Sequence, residues 1–211
     1  MRSAELTPST SPSRRVWSPR SLKVSAGLKL RESSSSAYCS CARLRTDYLG
    51  LPSSAASSTL LSSIPECWLT AFQALFLISD LKEAQSVLIH AGASGVGLAA
   101  IQLAKTFGAS KIFATAGTDD KVKFCEQHGA TKGINYKTQD FSEEVLKATD
   151  KAGVNVVIDF VGQNYWEKNV NSLARDGRMV LLGLMSGAVT EKPLNLGPIL
   201  FKRLRIEGQS I

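Results

Sequence analysis

The stretch VLIHAGASGVGLAAIQLAK, residues 87–105, joins an aliphatic run to a glycine cluster and then to an apolar pattern of helical spacing. Gly92, Ser94 and Gly97 take the three places of a G-x-G-x-x-G turn, with Ser94 where the middle glycine stands and Gly95 beside it. Such a turn alone is a weak signal. A strand before it and a helix after it give it meaning, because the free N–H groups and dipole of the helix's first turn then face an anion. Small side chains let phosphate oxygens approach the backbone. The candidate cradle is Gly92, Ala93, Ser94, Gly95, Val96 and Gly97; the competing reading is a tight strand-to-helix corner without a ligand.

Outward from this turn the chain keeps one rhythm. The runs SVLIH (86–90), KIFATA (111–116), GINY (133–136), VNVVIDFV (154–161), RMVLLGL (178–184) and RLRIEG (203–208) alternate with helical patterns. Those patterns lie near 95–107, 119–128, 141–150 and 165–174, with a short one near 197–203. Alternation of strand and helix, with strands apolar on both faces, predicts an α/β fold: a doubly wound, parallel, six-stranded Rossmann sheet. The apolar run 67–79, between Glu66 and Asp80, is too short to span a bilayer and reads as a buried helix.

Charge separates the chain into two unlike parts. Of its 25 Lys and Arg and 18 Asp and Glu, residues 1–60 hold nine basic and three acidic side chains, so nearly all of the net charge of +7 resides there. The remainder is close to neutral and offers no basic excess for a nucleic acid backbone. Residues 1–60 are rich in Ser and Arg without hydrophobic period, which predicts a disordered leader before a nucleotide-binding domain over 61–211. The placement expected is cytoplasmic, with a mitochondrial transit peptide as the alternative for the leader. Of the four cysteines only Cys39 and Cys41 form a pair, C-x-C, and no second pair completes a metal site. His90 and His128 are the only histidines; His90, on a strand, reads as a satisfied core side chain. No metal site is expected.

The second strand selects the nucleotide. An NAD site usually carries an acid about 20 residues beyond the glycines, to grip the ribose 2′-hydroxyl. That place falls at Ala116 and Gly117, which carry no charge, while Asp119 and Asp120 suit the first turn of a helix. Thr118 and Lys121 offer a hydroxyl and an ammonium to a 2′-phosphate, so NADPH is the expected cofactor.

IPECWLTAFQAL (64–75), the glycine stretch, INYKTQDFSEEVLK (134–147), GVNVVIDFVGQNYWEKN (153–169) and GRMVLLGLMSG (177–187) together resemble the zeta-crystallin-like quinone oxidoreductase branch of the medium-chain dehydrogenase/reductase superfamily. The resemblance covers about residues 64–211. It implies zinc-independent, NADPH-dependent reduction of quinones or enones, in a homodimer paired through the last strand. It carries the 2′-phosphate contacts onto Gly117, Thr118, Lys121 and Tyr136, and a threonine near the nicotinamide onto Thr70. Backbone at Val161, Gly162, Gly183, Leu184 and Met185 would line the cofactor. No catalytic side chain is assigned, since placing the hydride against the acceptor does most of the work. The Tyr-x-x-x-Lys pair of short-chain reductases is missing, because Tyr165 is followed four places on by Asn169.

Members of this family begin with a barrel-like catalytic domain, which residues 1–60 do not resemble, and continue beyond the sixth strand. The expectation is therefore a cofactor-binding core whose substrate wall is largely absent. The alternative is a dinucleotide-binding or interaction module without turnover.

Overall fold

The computed structural model describes residues 66–189 and 193–209. The expected leader and its Cys39–Cys41 pair lie outside them.

Six parallel strands form one sheet: β1 (Ser86–Ile89), β2 (Lys111–Ala116), β3 (Lys132–Asn135), β4 (Val154–Asp159), β5 (Leu173–Leu181) and β6 (Arg205–Gly208). Helices α2 (Gly95–Thr106), α3 (Asp119–Gln127), α4 (Phe141–Ala148), α5 (Trp166–Ser172) and α6 (Gly197–Lys202) connect them, after a first helix, α1, over residues 66–72. The spatial order β3-β2-β1-β4-β5-β6 is the doubly wound Rossmann arrangement expected from the alternating pattern. It reverses direction between β1 and β4, and in open sheets of this kind ligands bind beyond the carboxyl ends of the strands at that point.

Over β1 to β4 both faces of the sheet are covered, which is why these strands lack polar alternation. Val87, Ile89, Ile112, Ala114, Val156 and Ile158 pack into one buried cluster with α1 and α2. Leu88, Phe113, Ile134, Val157 and Met179 pack into another with Phe141, Val145 and Val170. Fully burying one such side chain stabilises by about 1.5–3 kcal/mol. Small residues on α2, Ala99, Ala100 and Ala104, bring that helix close to the sheet.

Helix ends follow local chemistry. Asp140 caps α4 by accepting from the N–H groups of Ser142 and Glu143, and Asp119 and Asp120 lie in the first turn of α3 as their charge favours. Among the described residues, no helix is long and apolar enough to cross a membrane.

Two expectations need correction. The run 67–79 is buried on one side only: Thr70, Ala71, Ala74 and Leu75 are covered, while Leu69 and Leu77 are 55% and 68% exposed. The helix lies on a single face of the sheet, so its far side is left uncovered. It also widens into a π-helix over Gln73–Ile78, and Phe72 stands partly out of the surface against Phe76. The fifth strand starts at Leu173, earlier than its apolar run suggests, because its pairing with β4 slips between Val154 and Val156. Asp176 takes a positive φ of 60° in the extra residues of that irregularity.

Candidate functional site

The carboxyl ends of the strands carry almost every residue singled out from the sequence. Beyond β1, Ser94 is the N-cap of α2, its hydroxyl accepting from the Gly97 N–H at 3.1 Å. A serine in the middle position thus closes the helix start from within, and helix geometry leaves the Gly95 and Val96 N–H groups without intrahelical acceptors. A side chain at Gly97 would bring a Cβ to 2.3 Å from the Ala91 carbonyl oxygen, and one at Gly92 to 2.9 Å from Ala114 Cβ. These two glycines are demanded by packing of turn against strand. Ser94 and Gly95 face solvent, and with Ala93 and Val96 they form the open lip of the turn.

Helix α1 reaches this lip. A Cβ on Gly95 would lie 2.8 Å from Cys67 Sγ, and Thr70, one turn beyond Cys67, is buried.

Beyond β2 and β3 a second group converges. Thr118 caps α3, its hydroxyl oxygen accepting from the Lys121 N–H at 3.4 Å. Gly117 lies beneath Tyr136, so close that a Cβ there would meet the tyrosine Oη at 2.9 Å. Tyr136 is itself tied to the sheet through its N–H, which donates to the Ala116 carbonyl at 3.2 Å. The nearest acid, Asp119, is engaged by the Asn135 side-chain amide at 2.6 Å. Thr118, Lys121 and Tyr136 are exposed, and Ala116, which ends β2 next to Gly117, is buried. A hydroxyl, an ammonium and a phenol in a stretch without a free acid at the strand end are the group types that bind a phosphate monoester.

Beyond β4 and β5, two turns are laced together. The Met185 N–H donates to the Phe160 carbonyl and the Ser186 N–H to the Val161 carbonyl. The Ser186 hydroxyl donates to that same Val161 oxygen at 2.7 Å while accepting from the Asn164 N–H at 3.1 Å. Gly162, at φ +88°, sits against Leu184 in a conformation that residues with a side chain rarely adopt. Gly183 packs on the Phe160 carbonyl. Leu184 and Met185 project outward, 51% and 79% exposed.

Beneath these turns runs a buried polar chain. His90, at the end of β1, is fully buried; its Nδ1 accepts from the Thr115 hydroxyl at 2.9 Å and its Nε2 donates to Asn169 Oδ1 at 2.7 Å. The tautomer follows from Asn169, whose Nδ2 donates to Asp159 at 3.0 Å and whose oxygen must therefore accept. Asp159 also accepts the Val161 and Gly162 N–H groups, at 2.8 and 3.1 Å. Burial lowers His90 to about 4, against the opposing pull of Asn169, so the ring is neutral at physiological pH. Burial also raises Asp159, outweighing its three N–H donors. The reading of His90 as a satisfied core histidine matches its two hydrogen bonds.

Asp159, Asn169, Thr115 and Ser186 were not among the residues singled out from the sequence. One signal was present for Asp159: a carboxylate ending an otherwise apolar strand must find donors or lose its charge.

Among the described residues, no three His, Cys, Asp or Glu side chains gather as a metal ion would require.

The model of the zinc-binding dehydrogenases matches residues 95–211, more than half of the chain. The chain belongs to this family. Within it, the relatives place it in the quinone oxidoreductase branch of the medium-chain dehydrogenase/reductase superfamily. Quinone oxidoreductase-like protein 2 of Rattus norvegicus is 35% identical over 145 residues, covering 69% of this chain and 41% of the relative. Quinone oxidoreductase 1 of Escherichia coli K12 is 41% identical over 129 residues, covering 61% and 38%. Among solved structures, the Escherichia coli quinone oxidoreductase complexed with NADPH superposes with a TM-score of 0.62 at 38% identity, covering 68% of this chain and 44% of that one. The chain spans about two fifths of the length of the curated relatives it matches.

Proposed function

We propose that this chain holds NADPH and serves the zinc-independent reduction of quinones or related enones. The observation that carries the proposal is Tyr136 packed on Gly117, with Thr118 and Lys121 exposed at the adjoining start of α3, next to the uncharged Ala116 where an NAD site would present an acid. Likeness to a relative solved with NADPH supports the same choice.

In this reading the open N–H groups of Gly95 and Val96 would hold the pyrophosphate at the α2 N-terminus. Lys121 and Thr118 would hold the 2′-phosphate, with Tyr136 closing over it. Thr70, together with the turns at Val161–Gly162 and Gly183–Met185, would orient the nicotinamide and shield it from water. The bound cofactor supplies the hydride; the chain supplies binding and orientation. The exposed edge of β6 would pair with a second copy of the chain, and the protein would work in the cytoplasm.

Titration of the purified chain with NADPH and NADH, followed by fluorescence, tests the cofactor. NADPH is expected to bind at least tenfold more tightly, and Lys121→Glu to abolish the preference; equal affinity for both would overturn it. Adding a quinone then tests turnover through loss of NADPH absorbance. A second reading is dinucleotide binding without turnover. Binding without NADPH oxidation would select it.

A further inference from the structure

We propose that Asp159 is the positioning residue for the nicotinamide half of the dinucleotide, holding the turn beyond β4 in register through its paired N–H acceptors. The proposal rests on the NADPH reading above and names a residue that reading leaves without a role.

Three observations carry it. First, the Asp159 carboxylate spends both oxygens on one short turn: Oδ1 accepts from the Val161 N–H and Oδ2 from the Gly162 N–H. A carboxylate so buried is costly unless paired, and an apolar residue would fill this strand end at no such cost. What the acid does here, and an apolar side chain could not, is fix the backbone that follows.

Second, the position is on one side of the switch point. The group around Gly117 and Tyr136 lies beyond β2 and β3, whereas the turn held by Asp159 lies beyond β4, on the other side of β1. A dinucleotide laid over the glycine turn, with its adenosine end at Gly117, must place its other end over β4 and β5. Asp159 therefore acts on one half of the ligand and leaves the other half untouched.

Third, the carboxylate is braced from behind. Asn169 Nδ2 donates to Oδ2, His90 donates to Asn169, and Thr115 donates to His90. The turn is in turn laced to the next through Met185 and Ser186. Displacing Asp159 thus frees the surface that would face the nicotinamide, while α3 keeps its own Thr118 cap.

The test compares two probes on the full-length chain by calorimetry: 2′,5′-ADP, which reports only the adenosine end, and NADPH. Asp159→Asn replaces one acceptor oxygen by a donor that opposes an N–H. It is expected to leave 2′,5′-ADP affinity within twofold of the original and to weaken NADPH at least tenfold. Equal weakening of both probes would mean a general structural role and would overturn the proposal, as would no change in either. If the original chain binds neither probe, the NADPH reading fails first and takes the proposal with it. If it binds both and the variant binds both unaltered, only the positioning role fails. Should Asp159→Asn show no cooperative melt, Asn169→Ala removes the brace alone. It is expected to weaken NADPH about threefold with 2′,5′-ADP unchanged; parallel or absent effects would again overturn the proposal.

Discussion

His90 Nε2 and Asn169 Oδ1, from residues 79 positions apart in the chain, meet at 2.7 Å in the fully buried space between β1 and α5. The contact requires a neutral imidazole with its proton on Nε2.

Protonation of His90 is therefore a route to acid unfolding. Its folded value of about 4 lies below the ordinary 6.5, so between these values the unfolded chain binds a proton that the native chain refuses. Stability then rises with pH through this window and falls on acidification, by about 3 kcal/mol in full. The raised Asp159 value acts with the opposite sign, so the net fall is smaller. Urea melts between pH 4 and 7 are expected to show the decline, and His90→Gln to flatten it. A variant as steep as the original would remove His90 as the cause.

Gly97 has no room for a methyl group. Its Cβ would press on backbone atoms of Ala91 and Gly92, which cannot rotate away as a side chain could. Gly97→Ala is expected to cost about 2–3 kcal/mol, lowering Tm by about 6–10 °C. A thermal melt shifted by less than 2 °C would contradict the crowding.

Ser94 contributes through one capping bond to the Gly97 N–H. Ser94→Ala is expected to lose about 1 kcal/mol and Ser94→Gly only a few tenths. Chemical denaturation resolves the difference, and equal losses would show that the hydroxyl does not cap.

At Gly117 the crowding is of another kind. The Cβ would meet the end of the Tyr136 side chain, which is 44% exposed and free to swing outward. Gly117→Ala is expected to keep Tm within about 2 °C. It should weaken 2′,5′-ADP about tenfold, or about 1.4 kcal/mol. An unchanged dissociation constant would place the 2′-phosphate elsewhere.

Five of the six strands were legible within two residues of their ends; β1 to β4 are covered on both faces, leaving continuous apolar runs such as KIFATA and VNVVIDF, whereas β6 at the edge is largely exposed. The start of β5 was not, since residues 174–177 are neither apolar nor periodic and their extension depends on pairing with β4. At the site, the glycine turn and Thr118 announce themselves through local chemistry. Tyr136 could be assigned only through family resemblance, because its nearness to Gly117 arises from the pairing of β2 with β3. Asp159 and Asn169 were missed for a related reason. Asp159 at the end of an apolar strand signals a need for donors but not which ones, Asn169 looks unremarkable in its own segment, and their meeting is a product of how α5 returns to the sheet.

The lacing of Ser186 to Val161 and Asn164 has a kinetic consequence. With its backbone and side chain bonded across to the preceding turn, neither turn can lift without releasing the other, so opening proceeds as one event. The amides of Gly162, Asn164, Met185 and Ser186 should exchange with deuterium at a common rate, slower than that of the outlying residues 187–189.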